Sequence, residues 1–277
     1  MISLDNVSYR YPGGTEALSG VSATLGCGIH LLLGENGAGK STLLHIMAGL
    51  LTPTQGCCLF DGVEVNLRLP SVLSSFFLLG DEMKFPATTI NEFSRIHAPF
   101  FPHFSREALT EALEAFGMSG DEPLARMSFG TRKKAQIAYA LSLRVSVLLL
   151  DEPANGLDID SRRTFRRLMS QFVSPEQTVI VSTHSVSELG PLYDGVIMLR
   201  RSRLILAAST AFLLERLTFE AASMPPEDAL YVQSELGLWR SVSANTAGEI
   251  LTDIDYSLLY SALMSPQGER ILDILNS

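Results

Sequence analysis

The sequence predicts an α/β fold: a parallel sheet covered by helices on both faces, with a small α+β extension at its C-terminal end. Three observations carry that expectation. Apolar strand-like runs alternate with helical runs, the rhythm of β–α–β units. A glycine-rich stretch, "GENGAGKST" at 34–42, lies between one such strand and one such helix. After about residue 216 the rhythm stops and short alternating runs take over. With 277 residues, 46% hydrophobic and 18% charged, the chain suits one large domain plus an appendage, and its composition excludes disorder.

Residues 1–33 read as strands with turn punctuation: "ISLDNVSYRYP", a Pro-Gly-Gly turn, then "GIHLLL". "STLLHIMAGL", from Ser41, places its apolar residues at helical spacing, and "PTQGCCLFDGVEV" returns to short strands around Gly56 and Asp61-Gly62. "FFLLGDEMKFP", 76–86, reads as a loop. Between about 88 and 142 the character becomes helical: "NEFSRIHAPFFPHF" is broken by Pro99 and Pro102, and "SREALTEALEAF" has a Ser start and a helical pattern. "VSVLLLDEP" is a fully apolar strand, "SRRTFRRLMSQF" a helix, "TVIVSTH" a second apolar strand, and "GVIML" with "LILAA" a hairpin. In the tail, "ALYVQSELGLWRSVSANTAGEILTDI" reads as short antiparallel strands and "YSLLYSALM" as a closing helix. The expected units are 1–216, with a helical subdomain at about 86–144 inserted, and 217–277, the boundary marked by Pro225-Pro226.

Net charge is −9, a poor match to nucleic acid, whose binding rests on many phosphate contacts. The local clusters Arg162, Arg163, Arg166, Arg167 and Arg200, Arg201, Arg203 read as solvated faces and turns. Cys27, Cys57 and Cys58 lack metal-site spacing and suit reduced structural thiols. No apolar run reaches the ~18–20 residues that span a bilayer, and the first residues carry no basic-then-apolar signal, so a soluble cytoplasmic protein is expected.

The stretch 34–42 satisfies G-x-x-x-x-G-K-[ST] through Gly34, Gly39, Lys40 and Ser41. Glycines let the backbone curl so that successive N–H groups face phosphate oxygens; here the cradle is Gly34, Glu35, Asn36, Gly37, Ala38 and Gly39. Lys40 is expected on the β- and γ-phosphates, the Ser41 hydroxyl on Mg²⁺, and the following helix, entered through Thr42, aims its positive end at the same anion. The strand before and helix after support a nucleoside-triphosphate site, a P-loop.

Asp151 and Glu152 close the strand "VSVLLL". Alone, they read equally well as a strand surfacing into the turn Pro153, Asn155, Gly156 or as a metal site. The P-loop decides for the second: Asp151 holds Mg²⁺ and Glu152, one residue on, handles the attacking water.

A P-loop followed by an apolar strand ending Asp-Glu-Pro resembles the ATP-binding cassette (ABC) ATPases. "MSFGT", 127–131, resembles the family signature Leu-Ser-Gly-Gly-Gln, keeping Ser128 and Gly130; "ANGLD" resembles the D-loop and ends in Asp158; "VSTH" offers His184 as the switch histidine; and Tyr11 matches the aromatic that stacks on adenine. The resemblance spans roughly 1–215 and implies an ABC-type nucleotide-binding domain that binds and hydrolyses ATP with Mg²⁺. It implies a homodimer in which each ATP lies between one chain's P-loop and the other's signature. It also implies a membrane permease on a separate chain, so the protein would lie peripherally on the inner face of the cell membrane. The single cassette and the segment 99–118 look similar to bacterial ABC-2-type exporter ATPases. A soluble ABC protein acting on ribosome or nucleic acid, and a weakly hydrolysing regulator, are the alternatives.

Two departures stand out. Phe129 and Thr131 replace the usual Gly and Gln of the signature, and the loop 76–86 lacks the family's Mg²⁺-contacting Gln, leaving Asp81 or Glu82 as substitutes. Residues 84–104, rich in Phe and Pro, read either as a docking groove for the membrane partner or as the subdomain's own core. The extension's role stays open among dimer support, regulation and covering a sheet edge.

Overall fold

The computed structural model describes the chain apart from residues 82–84, 87, 185, 187–189, 227, 236, 247–252 and 277, and the side chain of Pro191. Its centre is a six-stranded sheet built from β3 (Gly28–Gly34), β6 (Phe76–Leu79), β7 (Val147–Asp151), β8 (Thr178–Ser182), β9 (Gly195–Arg200) and β10 (Arg203–Ser209). The order is β10-β9-β3-β8-β7-β6, parallel throughout except for β10, which returns antiparallel along β9. Every residue of β7 and of β8 is buried, as expected for parallel strands covered on both faces.

The β7 side chains alternate between two cores. Val147 and Leu149 join Leu32, Ile180 and the helix α1 (Lys40–Met47) in one, while Leu148 and Leu150 join Val179, Val181 and the helical layer in the other. Over the first core lies a second sheet of β1 (Ile2–Arg10), β2 (Glu16–Leu25), β4 (Gln55–Phe60) and β5 (Val63–Glu64), all antiparallel, in the order β2-β1-β4-β5. A one-turn helix, α2 (Pro70–Leu73), leads into β6.

The second core carries α3 (Ile90–His97), α4 (Arg106–Ala115), α5 (Phe129–Ser142) and α6 (Ile159–Phe172). The helix starts follow capping chemistry. The side chains of Thr89, Ser105, Ser128 and Asp158 accept from the amides of Glu92, Ala108, Thr131 and Ser161. Pro99 falls in a 3₁₀ turn just after α3, where a proline can stand without breaking a helix.

Two expectations need correction. Residues 76–79 are not loop but the edge strand β6, paired in parallel with β7 from Phe76↔Val147 to Leu79↔Leu150. The tail does not close on one helix: α7 (Thr210–Arg216) runs directly into β11 (Leu217–Ala222), then β12 (Tyr231–Glu235), β13 (Leu238–Ala244), α8 (Tyr256–Met264) and a further helix, α9 (Gly268–Asn276). The last three strands form an antiparallel sheet in the order β11-β13-β12. Val242, Tyr256, Leu259 and Ile271 of this tail belong to the same core as Leu213 and Tyr193, and the Tyr256 hydroxyl donates to the Tyr193 carbonyl at 3.1 Å. Among the described residues no helix is long and apolar enough to cross a membrane.

Candidate nucleotide site

β3, β8 and β7 are neighbours, and their C-terminal ends bring three loops to one edge of the sheet, where ligands of open α/β sheets bind. The P-loop follows β3, Thr183 and His184 follow β8, and Asp151 ends β7 with Glu152 next to it. A cleft of about 410 Å³ opens there, lined by Tyr11, Thr15, Glu16, Ala17, Asn36, Gly37, Gly39, Lys40, Ser41, Thr42, Asp81, Asp151 and Glu152.

Gly39 makes the loop-to-helix junction possible. Its φ is +105°, and a Cβ there would lie 2.3 Å from the Ala17 carbonyl oxygen. α1 begins at the next residue, so its free N–H groups face the cleft and favour an anion. Lys40 is 7% exposed and folds over the loop, donating to the Gly34 carbonyl at 2.7 Å and more weakly to that of Glu35 at 3.4 Å. Gly34, Glu35 and Ala38 support the loop from outside the cleft lining. Tyr11, 40% exposed, stands at the rim, its hydroxyl 3.0 Å from Thr42 Oγ1 and its ring edge-on to Tyr9.

Asp151 is buried at the end of β7, paired in register with Ser182, whose hydroxyl donates to its carboxylate. Glu152 leaves the strand with φ +46°, an unusual conformation for a non-glycine residue that recurs at functional positions. Its amide donates to the Ser182 carbonyl at 3.0 Å. Its carboxylate accepts from His184 Nδ1 at 2.8 Å, which puts the ring proton on Nδ1. Asp81 also faces the cleft, its carboxylate taking hydrogen bonds from Lys133 and Asn155. Glu82, the other substitute for the missing glutamine, lies outside the described residues.

The hydroxyl of Ser41 and the carboxylates of Asp151 and Asp81 are hard oxygen donors on one cleft, a set that fits Mg²⁺. Among the described residues no three His, Cys, Asp or Glu side chains form a metal cage by themselves. That suits an ion that takes one or two carboxylates and completes its shell with phosphate and water.

The remaining candidates lie outside the cleft lining. Ser128 caps α5, accepting from the Thr131 amide at 3.1 Å and lying 2.8 Å from the Thr131 hydroxyl. Gly130 abuts the turn after Glu152: a Cβ on it would meet the Gly156 carbonyl at 2.6 Å. Asp158 caps α6, and hydrogen bonding from the Ser161 side chain and then its amide, helped by Lys134 at 3.3 Å, pushes its carboxyl down to about 2. Lys133, Asn155 and Ser182 escape a reading by motif. The one trace of Lys133 is its spacing, which puts it on the same helix face as Gln136, Ile137 and Ala140.

A strand–glycine loop–helix cradle with a buried aspartate and a carboxylate–histidine pair at the adjoining strand ends defines a P-loop ATPase. The sequence profile of the family described as "ABC transporter" matches residues 18–155. The energy-coupling factor transporter ATP-binding protein EcfA of Methanosphaera stadtmanae is 34% identical over 207 residues, 70% of this chain and 73% of that one. The cobalt import ATP-binding protein CbiO of Rhodobacter capsulatus is 31% identical over 238 residues, 82% of this chain and 85% of that one. The solved structure of cbiO1 from Clostridium perfringens, part of the ABC transporter complex cbiONQ, superposes with a TM-score of 0.60 at 25% identity, covering 75% of this chain and 88% of that one. The chain belongs to the ATP-binding subunits of ABC transporters and is an ATPase.

Proposed function

We propose that two copies of this chain close around two Mg-ATP and drive a separate membrane-spanning partner, to which the chain attaches at the inner membrane face. The observation that carries this reading is the division of the site. The P-loop, Asp151 and Glu152 line one cleft, while Ser128 and Gly130 lie outside it on the start of α5. A second chain presenting Ser128 and the positive end of its α5 to the γ-phosphate completes the site. Residues 1–216, with the helical part at 86–144, form the ATPase unit, and 217–277 the extension.

The chain's own groups divide the work. Tyr11 stacks on adenine, and Lys40 with the amides opening α1 holds the β- and γ-phosphates. Ser41, Asp151 and Asp81 would hold Mg²⁺, which supplies neutralisation of phosphate charge when bound. Glu152 orients the attacking water and accepts its proton. His184 fixes the Glu152 carboxylate through Nδ1. Asp158 works at the junction between chains.

The docking surface for the membrane partner is the outer side of α3 and the turn after it, where Ile96 is 65% and Phe100 70% exposed. Most other aromatics of this segment pack inward: Phe85 and Phe93 meet Tyr139. The ABC-2 exporter expectation gains no support from the two relatives, named for energy coupling and cobalt import. The net charge of −9 disfavours the ribosome or nucleic-acid alternative.

The test is affinity capture of the Glu152→Gln chain from detergent-solubilised cells with ATP present, read by mass spectrometry. A multi-span membrane protein is expected; ribosomes or nucleic-acid complexes without one would overturn the reading.

A further inference from the structure

Lys133 is a buried charge that the hydrolytic scheme leaves unused. It lies in the first half of α5, its side chain 1% exposed. Its ammonium donates to the carbonyl of Asp81 at 3.2 Å and to its Oδ1 at 3.3 Å. Asn155, on the turn after Glu152, donates to both oxygens of the same carboxylate, at 3.3 and 3.2 Å. Asp81 faces the nucleotide cleft beside Asp151 and Glu152.

Further contacts bind the same elements together. A Cβ added at Gly156 would meet ring carbons of Phe129 at 2.4 and 2.5 Å, so the aromatic that replaces a signature glycine is seated on the D-loop backbone. Lys134 holds Asp158 at 3.3 Å. The start of α5, the D-loop and the Asp81 loop therefore form one junction, which ends in the cleft.

Packing alone does not call for an ammonium here. Methionine would fill much of the same volume without taking a charge out of water, and a buried cation persists where carboxylates balance it. Burial pulls the Lys133 pKa down, and Asp81 first, then Asp151 and Glu152, pull it back.

We propose that Lys133 is a positioning residue for ATP hydrolysis: acting through Asp81, it sets one wall of the cleft and keys that wall to the signature helix and the D-loop. The inference rests on the hydrolytic reading of the cleft. It also gives Asp81 a second task beside the metal, since its main chain and one carboxylate oxygen are tied to α5.

The test is a double-mutant cycle on the full chain with Lys133→Met, Asp81→Asn and the pair. Each single change is expected to lower kcat by about five-fold or more, with KM for ATP within about three-fold, as for partners that orient a site from behind. The pair should be no worse than the worse single variant. A second readout avoids turnover: binding of a fluorescent ATP analogue to the same variants in a Glu152→Gln background, titrated with Mg²⁺. The half-saturating Mg²⁺ should rise about three-fold or more for Lys133→Met and Asp81→Asn alike. A smaller loss of kcat in Lys133→Met, single losses that multiply in the pair, or a Mg²⁺ shift confined to Asp81→Asn would each overturn the proposal. If circular dichroism finds Lys133→Met unfolded, exposed Asn155→Ala takes its place against Asp81→Asn, and multiplying losses again overturn it. A wild-type chain without ATPase activity would overturn the hydrolytic reading itself, and this inference with it.

Discussion

The direction of the Glu152 carboxylate is set by backbone as much as by residue type. A left-handed turn straight after a buried strand swings the side chain out of strand register, and the hydrogen bond from the Glu152 amide to the Ser182 carbonyl holds that turn. Gly39 is the counterpart on the P-loop, where the obstacle to any side chain is the main chain of β2. Gly39→Ala is therefore expected to lower ATP affinity by about ten-fold or more, because both the φ and the approach to Ala17 must change. Isothermal titration checks this, and an affinity within about two-fold of wild type would contradict it. At this scale the sequence was most legible where a motif fixes spacing: Gly34, Lys40, Ser41, Asp151 and Glu152 could be named before any coordinates. Lys133, Asn155 and Ser182 could not. Each acts through a contact between elements distant in the chain, and one sequence carries no record of such pairs.

The helical layer is organised around Tyr139, which is fully buried in α5 and touches Phe77, Phe85, Phe93 and His97. His97 stacks on Phe93 with ring centroids 4.9 Å apart, and its Nδ1 lies 2.7 Å from the Tyr139 hydroxyl. Burial lowers the pKa of His97 below its ordinary 6.5. The folded state therefore binds fewer protons at this site than the unfolded chain. The contribution is whole above about pH 6.5 and is lost as pH falls through the lowered folded value. Wild type should lose more melting temperature between about pH 7.5 and 5.5 than His97→Phe, which cannot titrate. Equal losses in thermal melts would contradict the assignment. The helix α4 was legible because its start carries Ser105, and the end of α3 because Pro99 follows it. β6 was not: four apolar residues before Gly80 suit a loop as well as an edge strand until β7 is placed beside them.

For the whole molecule, the alternation of strands and helices gave the α/β class, and apolar β7 and β8 gave the parallel centre. The separate antiparallel sheet was not readable from β1 and β2 alone, because strand patterns do not specify partners. The tail is more closely joined to the ATPase core than its change of rhythm suggests, since Leu259 and Ile271 share that core and Arg216 donates to the Ile274 carbonyl at 3.3 Å. The larger claim is that one chain holds only half of each working site, the P-loop and carboxylates in its cleft and the signature outside it. Sedimentation of the Glu152→Gln chain with and without Mg-ATP tests that claim most directly, because the variant is expected to bind ATP without turning it over. The account predicts a monomer without nucleotide and a dimer with it. A chain that binds ATP and sediments as a monomer in both conditions would contradict it.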